Sequence, residues 1–179
     1  LNSKTKYNHL LRIALNKDTL SISLRKRIKP NLNFDLKLVK LKRQKPEFKN
    51  LKYKEILKHL SKIDNSRSDI GLCSNNKIFE TGTSNLLFIK DDKFFSPANK
   101  FYKGITYKFF RSKIKKIIKK DILVNSLNEF DEILLIGSGK GVASVKTINQ
   151  IKWKRKSLKF YNILSKHYKT AVSNCKKFR

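Results

Sequence analysis

The sequence predicts a mixed α+β domain, on three observations. Period-two alternation, with Leu20, Ile22 and Leu24 set against Ser21, Ser23 and Arg25, marks strands. Longer runs such as residues 157–172 place apolar residues at helical spacing. Turns built from Asn, Asp, Gly and Pro separate the two kinds of segment at short intervals, with no internal repeat and no domain boundary. At 179 residues, 39% hydrophobic and 11% aromatic, the chain suits one packed domain and is too rich in core-formers for a disordered tail.

The elements follow in order. Residues 10–15 read as a strand, Asn16-Lys17-Asp18 as a turn, and residues 20–25 as a half-buried strand that Pro30-Asn31 ends. Phe34, Leu36 and Leu38 alternate again to about Leu41, completing an antiparallel hairpin or meander. A basic loop, 42–48, leads into a helix from about Asn50 to Ile63, with Leu51, Ile56, Leu57, Leu60 and Ile63 roughly on one face. Strands are expected at 70–73, 77–79, 86–90 and 93–95, with tight turns at Asn75-Asn76 and Asp91-Asp92. Gly104 opens a long helix expected to reach Lys120. Residues 132–136 and 142–148 are strands, and a closing helix, 157–172, turns Leu158, Tyr161, Leu164 and Tyr168 inward. Trp153 and the Tyr161/Tyr168 pair are read as packing.

Composition narrows the function. No run of about 18 apolar residues is present, and no segment has the layout of a secretory signal. Cys73 and Cys175 give neither a disulfide framework nor metal-ligand spacing, and His9, His59 and His167 share no spacing that points to a metal or a triad. The expected compartment is the cytoplasm. Methionine is absent and the chain opens on Leu1, so it is read as a segment whose true N-terminus lies upstream. The formal net charge is +30, which points first to nucleic acid. Yet 35 basic residues are Lys and 8 are Arg, spread through every element, whereas base readout and phosphate clamps favour Arg. The densest run, 113–120, keeps Ile114, Ile117 and Ile118 at helical spacing, as a solvated helix face would. A general lysine enrichment is therefore preferred to a nucleic-acid role.

Two small-residue loops stand out. Gly104-Ile105-Thr106 sits at an expected helix start, where free amides and the helix dipole attract an anion and Thr106 adds a hydroxyl. Gly137-Ser138-Gly139 follows a buried strand, a common place for a backbone nest around a phosphate. Either alone is as readily an ordinary turn; together they imply one phosphorylated ligand only if the fold unites them. A P-loop reading of residues 136–141 fails, because Leu135 and Gly141 stand where that motif needs Gly and Ser or Thr.

A third segment makes the pattern specific. Glu80-x-Gly82-x-x-Asn85-Leu86, then Ser96-Pro97, then Gly104-Ile105-Thr106 resembles the signature of the class IV aminotransferases. These are pyridoxal-phosphate enzymes of fold type IV, including branched-chain and D-amino-acid aminotransferases and aminodeoxychorismate lyase. The resemblance runs on through Asp131-Glu132-Ile133 and Gly137-Ser138 to Val145, and covers roughly residues 10–168. Three positions depart from it: Leu87 for an aromatic, Ser96 for Thr, and Tyr107 for a basic residue.

The resemblance implies a catalytic, cofactor-bearing lysine just before a helix. Lys49-Asn50-Leu51-Lys52-Tyr53 fits, 31 positions before Glu80, while Lys45, Lys52 and Lys54 are rivals on spacing alone. Lys49 would hold pyridoxal 5'-phosphate, with burial keeping part of its amine deprotonated. Glu80 would face the ring nitrogen, Thr106 with the Ile105 amide and Ser138 with the Gly139 amide would bind the phosphate, and Tyr53 would reach the phenolic oxygen. The chain would then be the larger, cofactor-binding portion of a homodimeric enzyme acting on a small molecule, with a smaller N-terminal domain outside it. The Lys-x-Leu-x-Tyr pattern favours the lyase, which forms 4-aminobenzoate for folate biosynthesis, over a class IV transaminase. A basic RNA-associated domain and an inactive paralogue remain the alternatives.

Overall fold

The computed structural model describes residues 9–26 and 30–175. The chain begins with β1 (His9–Leu15) and β2 (Leu20–Lys26), an antiparallel pair that stays apart from the main sheet. The expected meander stops there. β3 (Asn33–Lys40) instead enters the large sheet, followed by α1 (Lys54–Leu60), β4 (Ser68–Ser74), β5 (Lys77–Thr81), β6 (Asn85–Lys90) and β7 (Lys93–Pro97). After α2 (Ile105–Lys113) come the short strands β8 (Ile117–Lys120) and β9 (Ile122–Leu123), then β10 (Glu132–Gly137), β11 (Gly141–Ile148) and β12 (Trp153–Lys154). α3 (Lys159–Ser173) closes the described chain. The sheet runs β8-β7-β6-β10-β11-β3-β4-β5-β9, with β12 on β11, so the fold is α+β.

Turn chemistry sets much of this order. Asn75-Asn76 and Asp91-Asp92 both take left-handed backbone, with φ of 50° and 56°, and 49° and 57°. That geometry matches the twist of two-residue hairpins and brings β4 to β5 and β6 to β7. β3 and β4 are parallel, which requires a crossover, and α1 lies within it. Alternate side chains of β6 and β10 divide between two cores. Leu86, Phe88, Ile133 and Leu135 pack with Phe130 and Trp153 on one face, and Leu87, Ile89, Leu134 and Ile136 pack with Tyr107, Phe110 and Leu164 on the other. Trp153 is buried and donates its indole N–H to the Phe130 carbonyl at 3.1 Å, a packing role as expected.

Three local expectations are corrected. The helix expected from Asn50 is shorter and begins at Lys54, leaving Lys49 to Tyr53 as loop. The long helix expected to Lys120 ends at Lys113, and Ile117 and Ile118 pair in parallel register with Phe94 and Phe95. β-Branched residues beside an exposed strand edge favour pairing over one more helical turn, so residues 113–120 are not one solvated helix face. The third concerns β2, expected to be half-buried. Leu11 faces Leu24, Ile13 faces Ile22 and Leu15 faces Leu20 on one side of the hairpin, yet all six are between 58% and 72% exposed.

α3 depends on one buried acid. Glu132, fully buried at the start of β10, accepts the Phe160 and Tyr161 amides at 2.9 Å each, so its carboxylate caps the helix from a distant strand. Glu132→Ala strands both donors and is expected to cost about 2 kcal/mol in a denaturant melt. An unchanged midpoint would show that water replaces the carboxylate. Among the described residues no helix is long and apolar enough to cross a membrane.

Candidate active site

The register of β6 against β10 pairs Asn85 with Ile136, which lays the turn after β5 beside the turn after β10. These turns, the start of α2 and the loop before α1 enclose a cavity of about 310 Å³. That volume is at the lower end of small-molecule sites, roughly 300–1,000 Å³. Lys49, Tyr53, Glu80, Ile105, Thr106 and Ser138 all line it, so the fold unites the two small-residue loops. Gly139 is not among the lining residues; a Cβ there would meet nothing within 4 Å. Larger recesses of about 690 Å³, one of them adjoining at Tyr102, and of about 500 Å³ are also present, but none combines a buried carboxylate with an open helix start.

The anion-binding features are built by small residues. Gly104 caps α2 without a side-chain hydrogen bond, and no acidic residue occupies the first turn. The leading amides of this helix therefore have no intrahelical acceptor and carry the positive end of its dipole. The Ile105 side chain is 80% exposed, so its contribution to such a site comes through its backbone. Thr106 is buried against the cavity. Asn85 holds this helix start in place: its amide nitrogen donates to the Tyr102 carbonyl, and its oxygen accepts the Gly104 amide at 3.1 Å. The Asn of the sequence motif thus positions α2.

Two of the three motif departures explain each other. Tyr107 is buried, and its hydroxyl lies 2.9 Å from the Ser96 hydroxyl, so the two unusual residues form one hydrogen bond. Leu87 is fully buried in the core beneath α2, where an apolar side chain is sufficient.

Glu80 is buried at the end of β5 and carries a partner the sequence did not disclose. Arg43 Nε donates to its Oε1 at 2.8 Å. Burial pushes the Glu80 carboxyl above its ordinary range, and the Arg43 charge works against that rise. Tyr53 accepts a hydrogen bond from the Arg12 guanidinium at 3.2 Å, tying β1 to the cavity. Lys49 is exposed at the cavity's edge, contrary to the burial expected of it, because it lies in the loop before α1 and not on a packed element.

Behind the cavity lies a second unforeseen network. Asp69, fully buried on β4, accepts the hydroxyls of Thr81 and Thr83 and the Lys140 ammonium at 2.8, 2.7 and 2.5 Å. Lys140 also reaches Thr83 Oγ1 at 2.8 Å, pinning the 137–141 turn to the turn after β5. Gly82 completes this joint, since a Cβ there would lie 2.9 Å from Ile70 and 3.1 Å from Leu60. Among the described residues no group of three or more His, Cys, Asp or Glu could hold a metal ion.

An amine, a buried carboxylate, two hydroxyls and an uncapped helix start make a donor set that fits a phosphorylated, nitrogen-containing ring. Comparison with known proteins agrees in fold. A Legionella pneumophila protein proposed to be a 4-amino-4-deoxychorismate lyase superposes with a TM-score of 0.71 at 16% identity, over 84% of this chain and 60% of its own. The branched-chain aminotransferase of Thermoproteus uzoniensis, solved with norvaline, gives 0.72 at 15% identity, over 90% and 60%. That of Thermobaculum terrenum in its PLP form gives 0.70 at 14%, over 89% and 61%. The chain thus spans about 60% of the length of these solved chains. No curated protein matches the sequence. The model of the amino-transferase class IV family matches residues 7–148, from the first strand past the turn that carries Ser138 to the end of β11, and on that match the chain belongs to the class IV aminotransferases.

Proposed function

We propose that this chain is the cofactor-binding portion of a pyridoxal-phosphate enzyme whose reaction is the aminodeoxychorismate lyase one. Pyruvate is eliminated from 4-amino-4-deoxychorismate to give 4-aminobenzoate, a precursor for folate. The observation that carries this reading is the meeting of Lys49, Tyr53, Glu80, Thr106 and Ser138, from separate segments, around one cavity. When bound, the cofactor supplies a sink for the electrons left at the substrate carbon. Lys49 Nζ would hold the cofactor and would supply the amine that takes and returns the substrate's proton. The Glu80 carboxylate holds the proton of the ring nitrogen, and Tyr53 offers a hydroxyl to the phenolic oxygen. The Ile105 and Thr106 amides with the Thr106 and Ser138 hydroxyls would serve the phosphate. The adjoining recess shares Tyr102 with the cavity and is lined by Lys42, Lys45, Lys100, Lys103 and Lys108, which draw in an anionic substrate.

The Lys-x-Leu-x-Tyr pattern and the likeness to the Legionella protein support the lyase. A class IV transaminase is the second reading, favoured by equal likeness to two branched-chain aminotransferases. Pyruvate and 4-aminobenzoate formed together indicate the lyase; transfer of the amino group to a keto acid indicates the transaminase. A smaller domain completing the site, a homodimer and a cytoplasmic setting belong to the same proposal, and the exposed apolar face of β1 and β2 supports the first of these.

The test is to mix the chain with pyridoxal phosphate at low excess, reduce with borohydride and map the modified lysine by mass spectrometry. One dominant adduct on Lys49 is expected. Labelling spread over many lysines would refute the reading and return attention to a basic, RNA-associated domain, whose binding would fall steeply with salt.

A further inference from the structure

We propose that Arg43 is a positioning residue for Glu80, holding its carboxylate ionised and turned across the cavity, so that the proton of the site rests on the ligand's ring nitrogen. This rests on the function proposed above. The geometry is specific. Arg43 leaves β3 in the loop that leads to Lys49, and its side chain is 15% exposed while that of Glu80 is 4% exposed. The contact is one hydrogen bond, Nε to Oε1 at 2.8 Å. Both side chains line the same cavity as Lys49 and Tyr53. Among the described residues the other charged group lining it is Lys49, on the same loop, with Arg12 bonded to Tyr53 at its edge. Asp69 lies behind, neutralised by Lys140.

A carboxylate facing a basic ring nitrogen has to remain the weaker base of the two. Burial alone drives Glu80 the wrong way, because desolvation favours its protonated form. A protonated Glu80 would donate to the ring nitrogen instead of accepting from it, and the ring would lose its charge. The adjacent guanidinium opposes this and, being always charged, does so at every working pH. The hydrogen bond from its rigid, planar guanidinium also restrains the carboxylate, which an ammonium on a flexible stem would do less well.

The test uses Arg43→Ala, Arg43→Lys and Glu80→Gln, alone and combined. Without cofactor, thermal midpoints are followed from pH 4 to 9. The folded Glu80 carboxyl titrates above its ordinary value of 4.5, so its stability penalty is absent below that pH and grows as pH rises through the folded value. Removing Arg43 raises the folded value further. The gap between Arg43→Ala and the unaltered chain should therefore be small near pH 4, widen with rising pH, and close when Glu80→Gln is also present. With pyridoxal phosphate bound, the pH midpoint of its absorbance should move up by about one pH unit or more in Arg43→Ala. Arg43→Lys should retain most of the original midpoint, and the shift should vanish in the Glu80→Gln background. A melting gap independent of pH, or an absorbance shift that persists without Glu80, would overturn the assignment. An unaltered chain that gives no cofactor spectrum would instead sink the functional reading while leaving the melting result to judge the pair.

Discussion

Lys49→Ala is expected to abolish the reducible pyridoxal-phosphate adduct and to lower turnover by at least about 10²–10⁴-fold, the range attached to a positioned acid–base group. The loss exceeds that of any neighbouring substitution, because this one amine both attaches the cofactor and moves the proton. Glu80→Gln makes the contrast. It keeps the side chain's shape on the cavity wall and should retain cofactor binding, yet lose most turnover, since a neutral amide cannot hold a protonated ring. Adduct formation by mass spectrometry and product formation by absorbance separate the two variants. Near-full activity in Glu80→Gln would refute the role given to the carboxylate. Lys45, Lys52 and Lys54 are the controls, since all three lie on the same stretch of chain but none lines this cavity. A dominant adduct on any of them would move the register of the site.

The largest stability effect is expected at Asp69. Its carboxylate accepts from Thr81, Thr83 and Lys140, and from the amide of Ile70 at 2.8 Å, without exposure to water. Asp69→Ala leaves the Lys140 ammonium, itself only 11% exposed, without its counter-charge. An uncompensated buried charge costs about 3–5 kcal/mol, which for a domain of this size lowers the melting midpoint by roughly 6–20 °C. Lys140→Met should cost much less, because Asp69 then keeps both hydroxyls and the amide, and the Met side chain can still lie on the Phe34 ring that Lys140 covers at 4.5 Å. Both variants loosen the joint between the 81–85 and 137–141 turns, so cofactor affinity should fall alongside stability. Equal destabilisation by the two substitutions would show that the charge pair, not the anchored acid, holds the joint.

Local chemistry in the chain was legible to different depths. The turns at Asn75-Asn76 and Asp91-Asp92 were readable because left-handed residues in two-residue hairpins are a local preference. The alternation in β1, β2 and β3 gave strand positions correctly but not what they pack against. β2 turns its apolar side outward, and β3 joins β11 and β4 rather than continuing the hairpin. Residues 113–120 deceived because three isoleucines among lysines satisfy a helical period while two of them, Ile117 and Ile118, suit a strand edge equally well. Pairing with Phe94 and Phe95, residues far along the chain, tips that balance.

The sequence alone determined the α+β class, the positions of the longer strands and their turns, the family motif around Glu80, Asn85 and Gly104, and the candidate residues of the site. Each of these is written in contiguous spacing or in backbone preference. Only the tertiary structure decided that the two small-residue loops share one cavity, that Lys49 is exposed at its edge, that Tyr107 answers Ser96, and that Arg43 and Lys140 serve Glu80 and Asp69. Those last partners lie 37 and 71 residues apart, and in a chain carrying 43 lysines and arginines nothing local singles out the cation that is buried. Burial and charge pairing are properties of the folded packing, since which lysine or arginine loses its water depends on what the sheet brings beside it.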